Sequence, residues 1–246
     1  MAEPVWPRAV AFDLDGTLVD TAPDLHDVTN RLLAEHGRPG VSLAQVRSMV
    51  GDGARVLLER GFSATGGWPD GLDPAEAVRR FVEIYSVDPA RLSQPFEGVR
   101  DTLELLRRQG VKLGVCTNKP QKPTDLLLRG LDLHEHFDSV IGGDALPVRK
   151  PDPGHLAAVL DGMGARPDEA VLVGDSHNDV AAARGLGVPC ILVAYGYTST
   201  PVGELGGHAI IENFAALIDS LAALAPGAPL DSAGSAQHDP RPLGGG

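Results

Sequence analysis

Short apolar runs alternate with amphipathic stretches along most of this chain. The runs cover residues 8–12, 111–116, 139–142, 170–174, 190–193 and 208–211. Each is too short for a helix and ends in polar or glycine residues, so each reads as a buried strand. Between them, residues 98–109, 122–130, 154–163 and 178–185 place apolar side chains at helical spacing. Strand and helix repeated in this way predict an α/β fold, a doubly wound parallel sheet with helices on both faces. Ligands of such sheets bind outside the carboxyl ends of the strands. Asp13, Thr117 and Asp175 each follow directly on an apolar run, so they are expected to converge in space.

One stretch breaks the alternation. From Asp20 to about Gln94 the pattern is helical throughout, with Leu25, Val28, Leu32 and Leu33 in one apolar stripe and Val78, Phe81, Val82 and Tyr85 in another. Residues 64–73 are rich in glycine and carry Pro69, which suits a loop between helices. The reading is a core made of residues 1–20 and 94–225, with a small helical domain, 21–93, inserted after the first strand. Residues 226–246 are rich in Pro, Gly and Ser and read as a disordered tail.

Charge and cysteine content narrow the partners. The net charge of −12 over 246 residues disfavours nucleic acid, whose phosphate backbone selects basic surfaces. Cys116 and Cys190 both lie in apolar runs and are expected to be free buried thiols of a reducing compartment. No apolar stretch reaches the length of a membrane span, and the first residues lack the basic and apolar regions of a signal peptide. A cytoplasmic protein, monomer or homodimer, with no membrane partner is the expectation.

The most distinctive segment is Asp13-Leu14-Asp15-Gly16-Thr17, directly after the first run. Two carboxylates at one strand end repel each other and are costly to bury unpaired. A divalent cation would offset that cost and would suit chemistry on a phosphate. Three further segments accompany it: Val115-Cys116-Thr117-Asn118-Lys119, Lys150-Pro151-Asp152-Pro153 and Gly174-Asp175-Ser176-His177-Asn178-Asp179. Taken singly, Asp175 and Asp179 would equally suit a helix start, Thr117 and Asn118 a turn, and Lys150 a solvated surface. In this order and spacing, the four segments resemble the motifs of the haloacid dehalogenase-like hydrolases, over roughly residues 8–225.

The resemblance implies roles. Asp13 would be the nucleophile that forms an aspartyl-phosphate, and Asp15 the general acid and base. Thr117, Asn118 and Lys150 would bind the phosphoryl group. Mg²⁺ would be held by the Asp13 carboxylate, the Asp15 backbone carbonyl and Asp175. Asp179, one helical turn on, would orient a water or Lys150 from behind. Asp15 argues against the dehalogenase branch. The absence of any lysine between Met1 and Gly110 argues against a Schiff-base phosphonatase. Among the other polar residues, His177 stands out because it lies inside the fourth motif, and Asp144 suits a loop-structuring role.

Three segments resemble the bacterial phosphoglycolate phosphatases in particular: residues 20–25, residues 50–60 with Gly51 and Gly53, and residues 196–211. The two glycines would allow backbone to approach a small anion at a helix N-terminus, and Arg55 or Arg60 could pair with its carboxylate. Asp52, between the glycines, would cap that helix. This implies a 2-phosphoglycolate phosphatase. The alternatives are a relaxed phosphatase for another small ester, pyrophosphate or a sugar phosphate, a phosphomutase, and a phosphometabolite-binding regulator on a hydrolase scaffold.

Overall fold

The computed structural model describes residues 6–225, so the tail expected at 226–246 lies outside the described residues. Six strands form one parallel sheet: β1 (Ala9–Phe12), β4 (Lys112–Cys116), β5 (Ser139–Ile141), β6 (Ala170–Gly174), β7 (Cys190–Val193) and β8 (Ala209–Ile211). A separate two-stranded ribbon pairs β2 (Val19–Asp20) with β3 (Gln94–Pro95). The sheet order is β5-β4-β1-β6-β7-β8. The chain thus winds outward from β1 to β5, then crosses back to β6 and winds the other way. The crevice beyond the ends of β1 and β6 is the switch point where doubly wound sheets bind ligands.

The alternation of side chains along each strand separates two apolar layers. Val10 and Phe12 of β1 join Leu113, Val115, Val171 and Val173 on one face, under α5 (Val99–Arg108), α6 (Gln121–Gly130) and α9 (Leu217–Ala223). Ala9 and Ala11 join Cys116, Leu172, Cys190 and Leu192 on the other, under α7 (Pro153–Met163) and α8 (His177–Leu186). Both cysteines are buried and free. On the second face α7 lies close to β4, and Gly114 makes room for it: a Cβ on Gly114 would stand 2.7 Å from Val159 Cγ1 and 2.9 Å from Met163 Sδ. Strand boundaries differ from the sequence reading by a residue at some ends, where Arg8, Val111, Gly142 and His208 fall just outside.

Between β2 and β3 the chain runs through α1 (Ala22–Glu35), α2 (Leu43–Met49), α3 (Ala54–Ala64) and α4 (Pro74–Tyr85). These four helices enclose an apolar cluster of their own, including Leu25, Leu32, Leu33, Phe62, Phe81 and Tyr85, with Val78 and Val82 packed at its edge. Local signals set their starts: Ser42 and Gln45 form a reciprocal capping box on α2, and Asp73 caps α4 ahead of Pro74. Val19 pairs with Pro95 and Asp20 with Gln94, so the outgoing and returning chain cross side by side. Buried Asp24 fastens the crossing, its carboxylate accepting from the backbone N–H of Leu92 and Ser93 and from Ser93 Oγ at 2.7–3.1 Å. No helix among the described residues is long and apolar enough to cross a membrane.

Candidate active site

The carboxyl ends of β1, β4 and β6 bring three of the four motifs together, and the segment before α7 adds Lys150. Asp13 extends β1 by one hydrogen bond, its N–H donating to Val173 O at 2.9 Å. Lys150 Nζ lies 2.9 Å from Asp13 Oδ1 and 2.6 Å from Asp179 Oδ1. The second oxygen of Asp179 accepts from Ser176 Oγ at 2.6 Å and from the N–H groups of Ser176 and Asp175. Asp175 is held through Oδ2, which accepts from Tyr197 N–H at 2.6 Å. Gly16 makes room for this arrangement: it has φ +87°, and a Cβ there would stand 2.6 Å from Asp175 Oδ2.

The electrostatics follow from burial. Asp13, Lys150, Asp175 and Asp179 are all buried. Burial pushes the Asp13 carboxyl up to about 6 against the pull of Lys150, and neighbouring Asp179 pushes in the same direction. Burial, then Asp13 and Asp179, hold Asp175 well above the usual carboxylate range. Burial would lower Lys150, but the Asp13 and Asp179 carboxylates outweigh it and keep the ammonium charged. Asp13, Asp175 and Asp179 each offer an oxygen within 4.8 Å of the others. A buried set of hard oxygens with excess negative charge fits a divalent cation. Asp179 spends both oxygens on hydrogen bonds, whereas Asp13 and Asp175 do not, so those two carboxylates are the better placed to ligate.

A cavity of about 30 Å³ opens between this cluster and the helical insertion. Asp13, Asp15, Thr117, Asn118 and Lys119 line it from the sheet side, and Gly51, Gly53, Leu57, Phe81 and Tyr85 from the insertion. Asp15 Oδ1 accepts from Lys119 Nζ at 3.1 Å, and the same ammonium stands 4.2 Å from the centre of the Tyr85 ring. Burial would lower Lys119, but the Asp15 carboxylate outweighs it and keeps the ammonium charged. Thr117 Oγ1 accepts from the Lys119 N–H at 3.2 Å, which leaves its own O–H to donate. A second, polar cavity of about 100 Å³ adjoins the first, lined by Asp52, Arg60, Asp175, His177, Asn178 and Tyr197 among others.

Three expected residues stand differently from their sequence reading. Asn118 spends its side-chain N–H groups on Gly51 O and Lys150 O, both at 3.0 Å, so its amide ties the insertion to the core, while the residue still lines the first cavity. Arg55 points along the exposed face of α3 to Glu59, 2.8 Å away, and lines neither cavity. Arg60 reaches the polar cavity, but Asp52 holds it at 2.6 Å and Met49 O takes another of its donors. Gly51 and Gly53 do line the first cavity; Gly53 has φ +88°, and a Cβ on it would stand 3.0 Å from Asn118 O. Asp52 Oδ1 accepts from Asn178 Nδ2 at 2.8 Å, and Asn178 and Arg60 outweigh burial to hold Asp52 below the usual range. Asp144 accepts from the Gln121 N–H at 2.7 Å at the start of α6.

Two residues at the site had no assigned role in the sequence. Tyr197 joins Asp175, through its N–H, to Asp20 and Ala22 at the entry to the insertion, through its hydroxyl. Lys119 supplies the cation facing Asp15. Its signal was available: it lies two residues after Thr117 at a strand end, the same spacing that sets Asp15 beside Asp13.

The chain has relatives among known proteins. Residues 10–193 match the family model described as haloacid dehalogenase-like hydrolase. A phosphoglycolate phosphatase of Rhodospirillum rubrum is 44% identical over 225 residues, covering 90% of this chain and 93% of its own. One of Caulobacter vibrioides is 46% identical over 205 residues, covering 83% and 86%. Among solved structures, a predicted phosphoglycolate phosphatase from Haemophilus somnus superposes with a TM-score of 0.82 at 31% identity, covering 87% of this chain and 97% of its own. CbbY from Rhodobacter sphaeroides, solved in complex with phosphate, gives 0.73 at 26% identity, covering 85% and 96%. With its parallel sheet, its four motifs at the switch point and relatives of this extent, the chain belongs to the haloacid dehalogenase-like hydrolases.

Proposed function

We propose that this chain is a Mg²⁺-dependent phosphomonoesterase that hydrolyses 2-phosphoglycolate to glycolate and phosphate. The observation that carries the reading is Asp13 and Asp15 on one wall of a small cavity roofed by the insertion. A nucleophile and an acid two residues apart suit in-line displacement at phosphorus. The names of the relatives, at 44% and 46% identity over most of the chain, favour phosphoglycolate as the ester.

In this mechanism an Asp13 carboxylate oxygen attacks phosphorus, the ester P–O bond breaks, and Asp15 gives its proton to the leaving glycolate oxygen. The aspartyl-phosphate is then attacked at phosphorus by a water whose proton Asp15 takes, releasing phosphate and restoring Asp13. Lys150, fixed by Asp179, neutralises the phosphoryl oxygens, and the Thr117 hydroxyl donates to them. A Mg²⁺ ion held by the Asp13 carboxylate, the Asp15 carbonyl and Asp175 would supply further charge neutralisation at those oxygens. Residues 21–93 act as a cap over the core of residues 1–20 and 94–225 and exclude water during the first step. Asn118 and Asn178 latch the cap through Gly51 O and Asp52. The cellular setting is cytoplasmic, as monomer or homodimer.

Phosphate release from a panel of small esters with Mg²⁺ tests this reading. The expected result is a kcat/KM for 2-phosphoglycolate at least about 100-fold above the other esters, a transition-state difference of roughly 2.7 kcal/mol. Equal activity across the panel would reject the substrate and keep the mechanism.

A further inference from the structure

The proposed substrate carries a carboxylate one methylene from its ester oxygen, and the two cap arginines expected to bind that carboxylate are engaged elsewhere. Arg55 is on the outer face of α3 with Glu59, and Arg60 is held by Asp52 and Met49 O. Among the described residues lining the cavity that holds Asp13 and Asp15, the one cation is Lys119. Its side chain is 3% exposed, so the ammonium has been taken out of water. A buried charge is costly and is normally matched by several partners. Lys150 shows the usual solution, with two carboxylates on one ammonium. Lys119 has one carboxylate, Asp15, and the face of the Tyr85 ring. An ammonium carries three donors, so this one is left with capacity for a further acceptor.

A second observation points to the same place. Tyr85 lines the cavity and is 1% exposed, and its hydroxyl has no hydrogen-bond partner among the described residues. A buried hydroxyl without a partner is costly, and a bound acceptor would recover that cost. The surrounding wall of Leu25, Leu57, Phe81 and Pro123 is apolar and would strengthen the attraction between an anion and these donors.

Resting on the phosphomonoesterase reading above, we propose that Lys119, assisted by the Tyr85 hydroxyl, binds the carboxylate of the substrate and so sets the specificity of the site for acidic phosphate esters. The position suits the chemistry. Asp15 must reach the leaving oxygen, and a carboxylate one methylene away must then lie beside Asp15, where Lys119 stands. Lys119 reads the non-reacting end of the ester, while Lys150 serves the phosphoryl end.

The test compares 2-phosphoglycolate with ethyl phosphate, which has the same two carbons and no carboxylate. Because both esters are assayed on the same preparation, the ratio of their kcat/KM values is independent of the fraction of protein that is folded. The ratio is expected to fall by at least about 30-fold in Lys119→Met and several-fold in Tyr85→Phe, which keeps the aromatic ring. The loss should come from 2-phosphoglycolate, with ethyl phosphate affected much less. Equal losses for both esters in Lys119→Met would show that Lys119 serves Asp15 or the fold, and would overturn the proposal. A wild-type enzyme that does not distinguish the two esters would overturn it as well. If the wild type released phosphate from no ester, the phosphomonoesterase reading itself would fail and the proposal with it.

Discussion

Two buried lysines stand at the site, and their surroundings differ. Lys150 lies entirely within the sheet-end cluster, bound by Asp13 and Asp179, and Asp179 is in turn fixed by three donors from residues 175 and 176. Lys119 lies at the seam between core and insertion, bound by Asp15 and covered by Tyr85. The first is overmatched by negative charge; the second is singly matched beside an orphan hydroxyl. A cation matched by two carboxylates is held firmly beside the reacting groups, whereas one matched by a single carboxylate leaves more of its charge for a further anion.

The largest expected effect comes from the anionic partner of the first lysine. Asp13→Asn should lower kcat on the order of 10⁴-fold or more, as removal of a covalent nucleophile does. It should also raise the melting temperature of the protein in EDTA at pH 7. Asp13 has its folded-state pKa raised to about 6, so its ionised form opposes folding above that pH, and an amide removes the penalty. A variant that kept its turnover, or melted earlier than wild type in EDTA, would contradict the roles assigned to this cluster.

Stability separates the two lysines next. Lys150→Met leaves two buried carboxylates without their cation and should cost about 3–5 kcal/mol in urea unfolding. Lys119→Met strands only Asp15, whose side chain is 12% exposed and can be partly hydrated, so it should cost less. The reverse order would break the comparison.

A third effect of similar kind is read by pH. His155 is buried; burial, then the Lys150 charge, hold its pKa down at about 4. The unfolded chain binds this proton near 6.5, so stability should be full above that value. It should fall by roughly 3 kcal/mol as the pH drops from 6.5 to 4. Urea midpoints across this range should flatten in His155→Gln. An equal slope in that variant would assign the acid sensitivity to other groups.

The smallest effect is expected at Arg55. Its ion pair with Glu59 is solvent-exposed, so Arg55→Ala should change stability by under about 0.5 kcal/mol and leave kcat/KM for 2-phosphoglycolate within a factor of about two. A loss of tenfold or more would move the carboxylate contact from Lys119 to the cap helix.

Much of the molecule could be read from its sequence. The apolar runs are short and bounded by polar residues, so the six strands of the sheet and their order in the chain were legible from local pattern alone. The convergence of Asp13, Thr117 and Asp175 followed from one rule about where such sheets end. The helical stretch between β2 and β3 was legible because its apolar stripes keep helical period from Leu25 to Leu33 and from Val78 to Tyr85. Its arginines were not. A guanidinium on a long flexible side chain goes to a carboxylate that the fold brings near it, here Glu59 for Arg55 and Asp52 for Arg60.

What the sequence determined by itself is therefore what depends on neighbours along the chain: strand and helix periods, caps, the breaks that glycine and proline impose, and the carboxylates set at strand ends. Tertiary structure alone decided the partners of the buried charges. Lys119 and Asp15 are 104 residues apart, and Asn178 and Asp52 are 126 apart. Such pairs form because burial makes an unmatched charge or amide costly, and only the packed fold brings the matching group within reach.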